Sequence, residues 1–292
     1  MTSSPEMQRS VRNTSSFFFT LSSKRSLSSA NSLSYKVENL SVYSVRLIVI
    51  TADLPETEQT MTATYADDIV ILASHHNSIT ASSNLQHHFH QFDTWLKRWL
   101  IKANENKSIH ITFFLKRETC SAVILNGQHI PQRETAKYLG IYLDRRLKWQ
   151  KHNFTKRKQL GLQLHRMYWI IGRKSKLTLE NKLLTNKTIL KPIWTYDFLL
   201  WGTASNSNIE ILQRFQNKVI RSIVNAPWYV PNTILDTDLH IPTVKAEITN
   251  FTTKYREKLI TGPNELIIAL LDEEEPRRLK RFKPTELSTR LS

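Results

Sequence analysis

Apolar positions along the first half of the chain change period several times. Thr62–Tyr65 and Ile69–Ala73 read as two short β-type runs separated by Ala66-Asp67-Asp68, a pattern that predicts a hairpin with carboxylates at its tip. Leu85, Phe89, Phe92, Leu96 and Trp99 then recur every three or four residues, so 81–101 is predicted to be an amphipathic helix. Ile109, Ile111 and Phe113 alternate as a strand does. Val123–Leu125 and Gln128–Ile130 flank Asn126-Gly127, a strong two-residue hairpin turn because both positions tolerate positive φ. Tyr138–Leu143 supplies another strand. Beyond Trp149 the period is helical, with segments expected near 149–170, 178–200, 207–224 and 244–260. Pro192 should kink or split the second of these, since it lacks an N–H and its ring crowds the preceding turn.

These elements predict an α+β chain: a mixed module over 47–145, then a helical module over 146–292. Residues 1–46 are Ser-rich, with Glu6 and Glu38 the only acids. They lack the periodic apolar content that offsets ordering entropy, so a disordered leader is expected. An acid-poor, Arg-containing start also suits a mitochondrial leader. The preferred reading is an unrelated leader joined to a domain that was once longer.

Composition removes several classes of function. No apolar run approaches the roughly 18–20 residues of a membrane span. Cys120 is the only cysteine, which excludes an internal disulfide and a Cys-based zinc site. The six glycines, at 127, 140, 161, 172, 202 and 262, are too scattered to write a dinucleotide fingerprint or a P-loop. His75-His76 and His87, His88 and His90 form a local cluster without the spaced carboxylate or Cys partners that a metal site needs.

Charge then narrows the partner. The chain carries 41 Lys and Arg against 25 Asp and Glu, a formal charge of +16. Between Asp144 and Lys191 fourteen basic residues face only Asp144 and Glu180, so +12 of that charge lies in 48 residues. Arg145, Arg146, Lys148, Lys151, Lys156, Arg157, Lys158, Arg173 and Lys174 are the candidates for binding nucleic acid. Each neutralised phosphate releases counterions without regard to sequence. A solvated basic helix face is the plainer alternative.

The strongest local signal for chemistry lies in Asp67 and Asp68. Adjacent carboxylates on a bent backbone repel each other and are best tolerated where a hard divalent cation such as Mg²⁺ neutralises them. An ordinary Asp-Asp turn would have the same sequence. What separates the two is a series of further strings in order. Thr51-Ala52-Asp53-Leu54-Pro55 precedes Tyr65-Ala66-Asp67-Asp68. Trp95-Leu96-Lys97-Arg98-Trp99 and Asn104-Glu105-Asn106-Lys107-Ser108 follow. Tyr138-Leu139-Gly140-Ile141-Tyr142-Leu143-Asp144 comes next, then Leu147-Lys148-Trp149 and His152. Leu190–Tyr196, Leu200–Ala204, Ala226-Pro227-Trp228-Tyr229 and Arg277–Phe282 complete the series. Together they resemble the reverse transcriptases of non-LTR retrotransposons, specifically jockey-like mobile elements, over roughly 47–285.

The resemblance implies part of a polymerase palm over 47–145, then a basic thumb and C-terminal segment. It implies RNA-directed DNA polymerisation on an RNA/DNA template-primer with Mg²⁺ or Mn²⁺. Asp67 and Asp68 would be catalytic metal ligands, and Lys107 would lie near the incoming nucleotide's phosphates. Tyr138, Leu139 and Gly140 would grip the primer. For Lys107 plain surface is the competing reading, and for Tyr138 and Leu139 a place in the strand core. The family's bridging aspartate and fingers, expected upstream, have no counterpart before Asp53. The 61–73 hairpin, an interior element in the family, is accordingly expected to expose its edges. The expectation is a truncated polymerase, inactive alone; the alternative is a non-catalytic nucleic-acid binder using the basic 144–191 helices.

Overall fold

The computed structural model describes residues 15–22, 52–66, 68–101, 103–104, 107–113 and 120–262. It divides at Tyr138/Leu139 into two compact units, a few residues ahead of the boundary expected from the pattern. The α+β class holds: small antiparallel sheets in the first unit, mostly helices in the second. Among the described residues no helix is long and apolar enough to cross a membrane.

The first unit is built on a four-stranded sheet of order β2-β3-β1-β4, comprising β1 (Ser15–Ser22), β2 (Thr60–Tyr65), β3 (Asp68–His75) and β4 (Ile109–Phe113). β1 corrects the expectation of disorder for those eight residues. It pairs antiparallel with β3 from Ser15↔His75 to Ser22↔Asp68, and with β4 from Ser16↔Phe113 to Thr20↔Ile109. Three consecutive phenylalanines at 17–19 between Ser and Thr have high strand propensity. Averaging over a Ser-rich stretch hides them. The rest of the proposed leader, 1–14 and 23–46, lies outside the described residues. β3 therefore has a strand on each side, and the edges fall on β2 and β4.

One face of the sheet is covered by α1 (Ser78–Arg98), whose start is capped by Asn77 Oδ1 accepting the Ile79 N–H at 2.9 Å. Leu85, Phe89, Phe92 and Leu96 are buried against Ile69, Ile71 and Ala73 of β3, as the helical period predicted. Each such side chain contributes about 1.5–3 kcal/mol of burial. The hairpin of β5 (Ile124–Leu125) and β6 (Gln128–His129) turns through Asn126 and Gly127 at φ 51° and 75°, the left-handed pair its sequence anticipates. Gln86 ties this hairpin to α1 through Ile124, accepting its N–H at 2.8 Å and donating to its carbonyl at 3.0 Å. β7 (Thr135–Tyr138) closes the unit.

The second unit opens with Leu139 and Gly140, both at positive φ (44° and 81°), before β8 (Ile141–Asp144). The single strand expected over Tyr138–Leu143 is thus broken by a reversal. α2 (Gln150–Ile171) follows, then α3 (Leu179–Thr185), a π-helical turn (Asn186–Leu190) and α4 (Lys191–Thr195). Pro192 accounts for that series. Its missing N–H and bulky ring are accommodated by a widened turn immediately before it, and the helix stops three residues later. Next come α5 (Phe198–Trp201), α6 (Asn206–Val224), α7 (Asn232–Asp238) and α8 (Val244–Thr261). Leu160, Leu164, Trp201, Leu212, Phe215, Val219 and Ile248 form the core of this unit.

The carboxylate hairpin and a candidate nucleic-acid interface

Tyr65↔Asp68 is the last pair of the β2–β3 hairpin, and Ala66 leaves β2 at φ 51°. Asp67 lies outside the described residues. Asp68 is half-buried and begins β3 rather than sitting in the turn. Strand alternation puts it on the face opposite Ile69, Ile71 and Ala73, on the same side as Tyr65, which is 64% exposed. Tyr138 shares its neighbourhood: burial, then the charge of Asp68, push the Tyr138 phenol above its ordinary range.

Lys107 is exposed in the short turn before β4, where its N–H donates to the Asn104 carbonyl at 3.0 Å. The antiparallel register carries Lys107 to the same end of the sheet as Asp68, with β1 between their strands. Among the described residues no group of three His, Cys, Asp or Glu comes together to hold a metal. A divalent ion prefers several hard oxygen ligands, and Asp68 by itself does not meet that need. Of the pair that the sequence suggested for Mg²⁺, only Asp68 is among the described residues.

The other two residues of the primer-grip string have a firm structural role. The Tyr196 hydroxyl donates to the Leu139 carbonyl at 2.8 Å, and a Cβ on Gly140 would meet the Tyr196 ring at 3.3 Å. Left-handed φ at position 140 and this close approach both call for glycine.

The basic residues divide into two groups. Arg146, Lys148, Lys151, Lys158, Arg173 and Lys174 are exposed, while Arg145, Lys156 and Arg157 are half-buried. Arg157 lies over the buried Phe215 ring at 4.7 Å, and Lys156 over Tyr196 at 4.9 Å. Lys182, part of the same charge count, is buried and donates to the Gly172 carbonyl at the end of α2 at 3.3 Å. Lys191 pairs with Glu247. Along α2 the exposed cations form one stripe: Lys151, Phe154, Lys158, Leu162, Arg166 and Trp169 follow one another at intervals of three or four. Lys158 sits over the Phe154 ring at 4.9 Å.

Sequence reading missed a second basic cluster. An open groove of about 510 Å³ is lined by Tyr168, Arg173, Arg214, Lys218, Arg221 and Asn225 among others, and none of its lining residues is acidic. Arg214, Lys218 and Arg221 lie along α6 at intervals of four and three, interleaved with its apolar face, so no charge run exposes them in the sequence.

Comparison with known proteins places these strings. The chain is 38% identical over 243 residues to the probable RNA-directed DNA polymerase of transposon X-element of Drosophila melanogaster, covering 82% of this chain and 27% of that protein. It is 33% identical over 239 residues to the RNA-directed DNA polymerase of mobile element jockey of the same species, covering 79% and 26%. The Drosophila funebris jockey polymerase is 30% identical over 259 residues, covering 83% and 28%. The chain is homologous to part of the reverse transcriptases of jockey-like non-LTR retrotransposons. It spans about a quarter of the length of the curated relatives it matches. No family model and no solved structure matches.

Several of the jockey-like strings act on one another. Asp53, of the Asp-Leu-Pro string, pairs with Arg98 at 3.2 Å and accepts the Trp99 indole N–H at 3.2 Å. The Asp144 carboxylate accepts the N–H groups of Lys148 (2.9 Å) and Trp149 (2.8 Å), which shapes the loop entering α2. Trp149 donates its indole N–H to Thr203 at 2.8 Å, and His152 lies buried beside Trp149 and Trp201. Much of what makes these strings recognisable is packing.

Proposed function

We propose that this chain is the part of a jockey-like reverse transcriptase that grips the RNA/DNA template-primer, with the β1–β4 sheet and α1 belonging to the palm and the second unit to the thumb and C-terminal segment. The observation that carries the reading is the exposed α2 stripe, which alternates cations with large apolar side chains and has no carboxylate of its own. Lys and Arg there neutralise phosphates, and Phe154 and Trp169 pack on sugars and bases. Arg146, Lys148, Arg173 and Lys174 extend the positive surface at either end of the helix.

Phosphoryl transfer itself is assigned to the Asp67-Asp68 pair in the complete polymerase, with Lys107 at the same end of the sheet. Use of Mg²⁺ or Mn²⁺ belongs to that assignment. No aspartate precedes Asp53 in the sequence to bridge a second ion, so this 292-residue chain by itself is expected not to extend a primer.

Fluorescence anisotropy on a labelled template-primer is the test. Binding should weaken steeply with salt, and Lys151→Glu/Lys158→Glu should lower affinity at least tenfold and flatten the salt slope by about two, near one per lost contact. Wild-type binding that is insensitive to salt, or unchanged in the double variant, would remove the reading. Primer extension that depends on Asp67, lost in Asp67→Asn, would overturn the expectation of inactivity.

A further inference from the structure

The loop that follows α6 carries the most exposed aromatic pair of the second unit. Trp228 is 91% exposed and Tyr229 69%, with their rings edge to face at 6.1 Å. A tryptophan left almost wholly in water gives up most of its burial energy, and a contiguous aromatic patch of this kind marks a binding surface. The loop that carries it is tied down by hydrogen bonds. Arg221 donates Nε–H to Asn232 Oδ1 at 2.8 Å, Nη1–H to the Pro227 carbonyl at 2.8 Å, and Nη2–H to the Val230 carbonyl. Asn225, at φ 54°, ends the helix and turns the chain into the loop, and the Val230 N–H closes on the Pro227 carbonyl at 3.2 Å. One guanidinium is thus the hub around which 226–232 is wound.

The same loop forms one side of the basic groove, which Asn225, Ala226 and Asn232 help to line. Arg221 is occupied with the loop. Arg173, Arg214 and Lys218 remain exposed along the groove, and no carboxylate lines it. A cationic track beside a rigid aromatic tip has the chemistry of single-strand recognition. Phosphates follow the cations, and an unpaired base stacks on the ring without regard to its identity. Duplex bases are already stacked on each other and offer a protruding ring nothing but their ends.

We infer that the groove and the Trp228–Tyr229 tip form a binding site for single-stranded nucleic acid, distinct from the α2 stripe. The inference rests on the proposed nucleic-acid-binding role of the second unit and adds to it a strand preference and a second location.

The test uses the full chain and two fluorescein-labelled probes, a 15-nucleotide oligo(dT) and a 15-base-pair duplex. Trp228→Ala/Tyr229→Ala should weaken oligo(dT) binding about 10- to 100-fold, in line with roughly 1–3 kcal/mol per stacked base, and leave duplex binding within twofold. Arg214→Ala/Lys218→Ala should weaken oligo(dT) binding and lower its salt slope by about one to two. Both aromatics are exposed, so their replacement leaves the fold intact. As an independent readout, oligo(dT) should quench part of the wild-type tryptophan emission, and Trp228→Phe should abolish that part while keeping affinity within a few-fold. If oligo(dT) affinity is unchanged in the aromatic double variant while Lys151→Glu/Lys158→Glu still weakens binding, the inference fails and the broader reading survives. If the wild type binds neither probe, both fall. Competition by poly-glutamate as strong as that by oligo(dT) at equal charge, with no effect of the aromatic substitutions, would assign the groove to an acidic protein instead.

Discussion

The hydroxyl of Tyr196 donates to the carbonyl of Leu139 at 2.8 Å across 57 positions of sequence. The same ring carries the Lys156 ammonium at 4.9 Å and abuts Gly140. Three strings that the resemblance lists separately are therefore one structural unit: the Leu139-Gly140 turn, the basic helix and the Trp194-Thr195-Tyr196 segment. Stability measurements can resolve its parts. Tyr196→Phe removes one hydrogen bond at a half-exposed site and should cost about 0.5–1 kcal/mol. Gly140→Ala forces an L residue to φ +81° and pushes a methyl against the ring, so it should cost at least ~1–2 kcal/mol. Urea unfolding orders the two. A larger loss for Tyr196→Phe than for Gly140→Ala would contradict the backbone argument.

Much of the first unit was legible because period dominates there. α1, the β2–β3 hairpin and the Asn126-Gly127 turn follow from apolar spacing and from the tolerance of particular residues for positive φ. β1 was not legible, since its three phenylalanines sit in a stretch whose average composition is that of disorder. The reversal at Leu139-Gly140 was hidden for another reason: Tyr138–Leu143 is an unbroken apolar run, which reads as one strand. At the candidate site, local charge located the α2 cations but overcounted them, because Lys182, Lys191 and Arg157 are spent inside the fold. The α6 cations escaped notice because only three-dimensional neighbours, Arg173 and the 225–232 loop, make them a cluster.

Arg221 provides a test of how firmly the aromatic tip is held. Its fork meets three acceptors in fixed directions, and a lysine ammonium on a single flexible stem cannot reproduce that geometry. Arg221→Lys should loosen the loop while leaving the charge unchanged. Opening by ~1.4 kcal/mol corresponds to about tenfold faster chymotryptic cleavage after Trp228 or Tyr229. Cleavage at the wild-type rate would mean that the loop is held by something other than the guanidinium.

Three buried histidines contribute to the response to acid. Burial lowers His88, His110 and His152 to about 4 each, with His87 adding to the effect on His88 and Lys156 to that on His152. In the unfolded chain each titrates near the ordinary 6.5. Above that pH both states are neutral and stability is at its full value. Between about 6.5 and 4 the unfolded chain takes up protons that the folded chain refuses, so stability falls as pH drops and levels off, for these groups, below about 4. Each group contributes about 1–3 kcal/mol across the window. His152 accepts the Tyr142 N–H on Nδ1 at 3.3 Å. His152→Gln keeps an acceptor, removes the titration, and should reduce the pH slope of stability by about a third. A slope unchanged in this variant would show that its imidazole is accessible to protons in the folded state.

Asp68 and Tyr138 supply the last test, and it needs no catalysis. Two things hold the Tyr138 phenol above its usual range, burial first and the Asp68 charge second. An anion nearby disfavours formation of the phenolate, so neutralising it must lower the phenol's pKa. Burial persists in Asp68→Asn, so the value should move part of the way back towards 10 and not past it. Ultraviolet difference titration of the tyrosinate band, with Tyr138→Phe to identify the step, reads the shift directly. A fall on Asp68→Asn would establish that the first residue of β3 and the last residue of β7 are electrostatic neighbours. A Tyr138 step that does not move would separate them and leave the two strings without a common site.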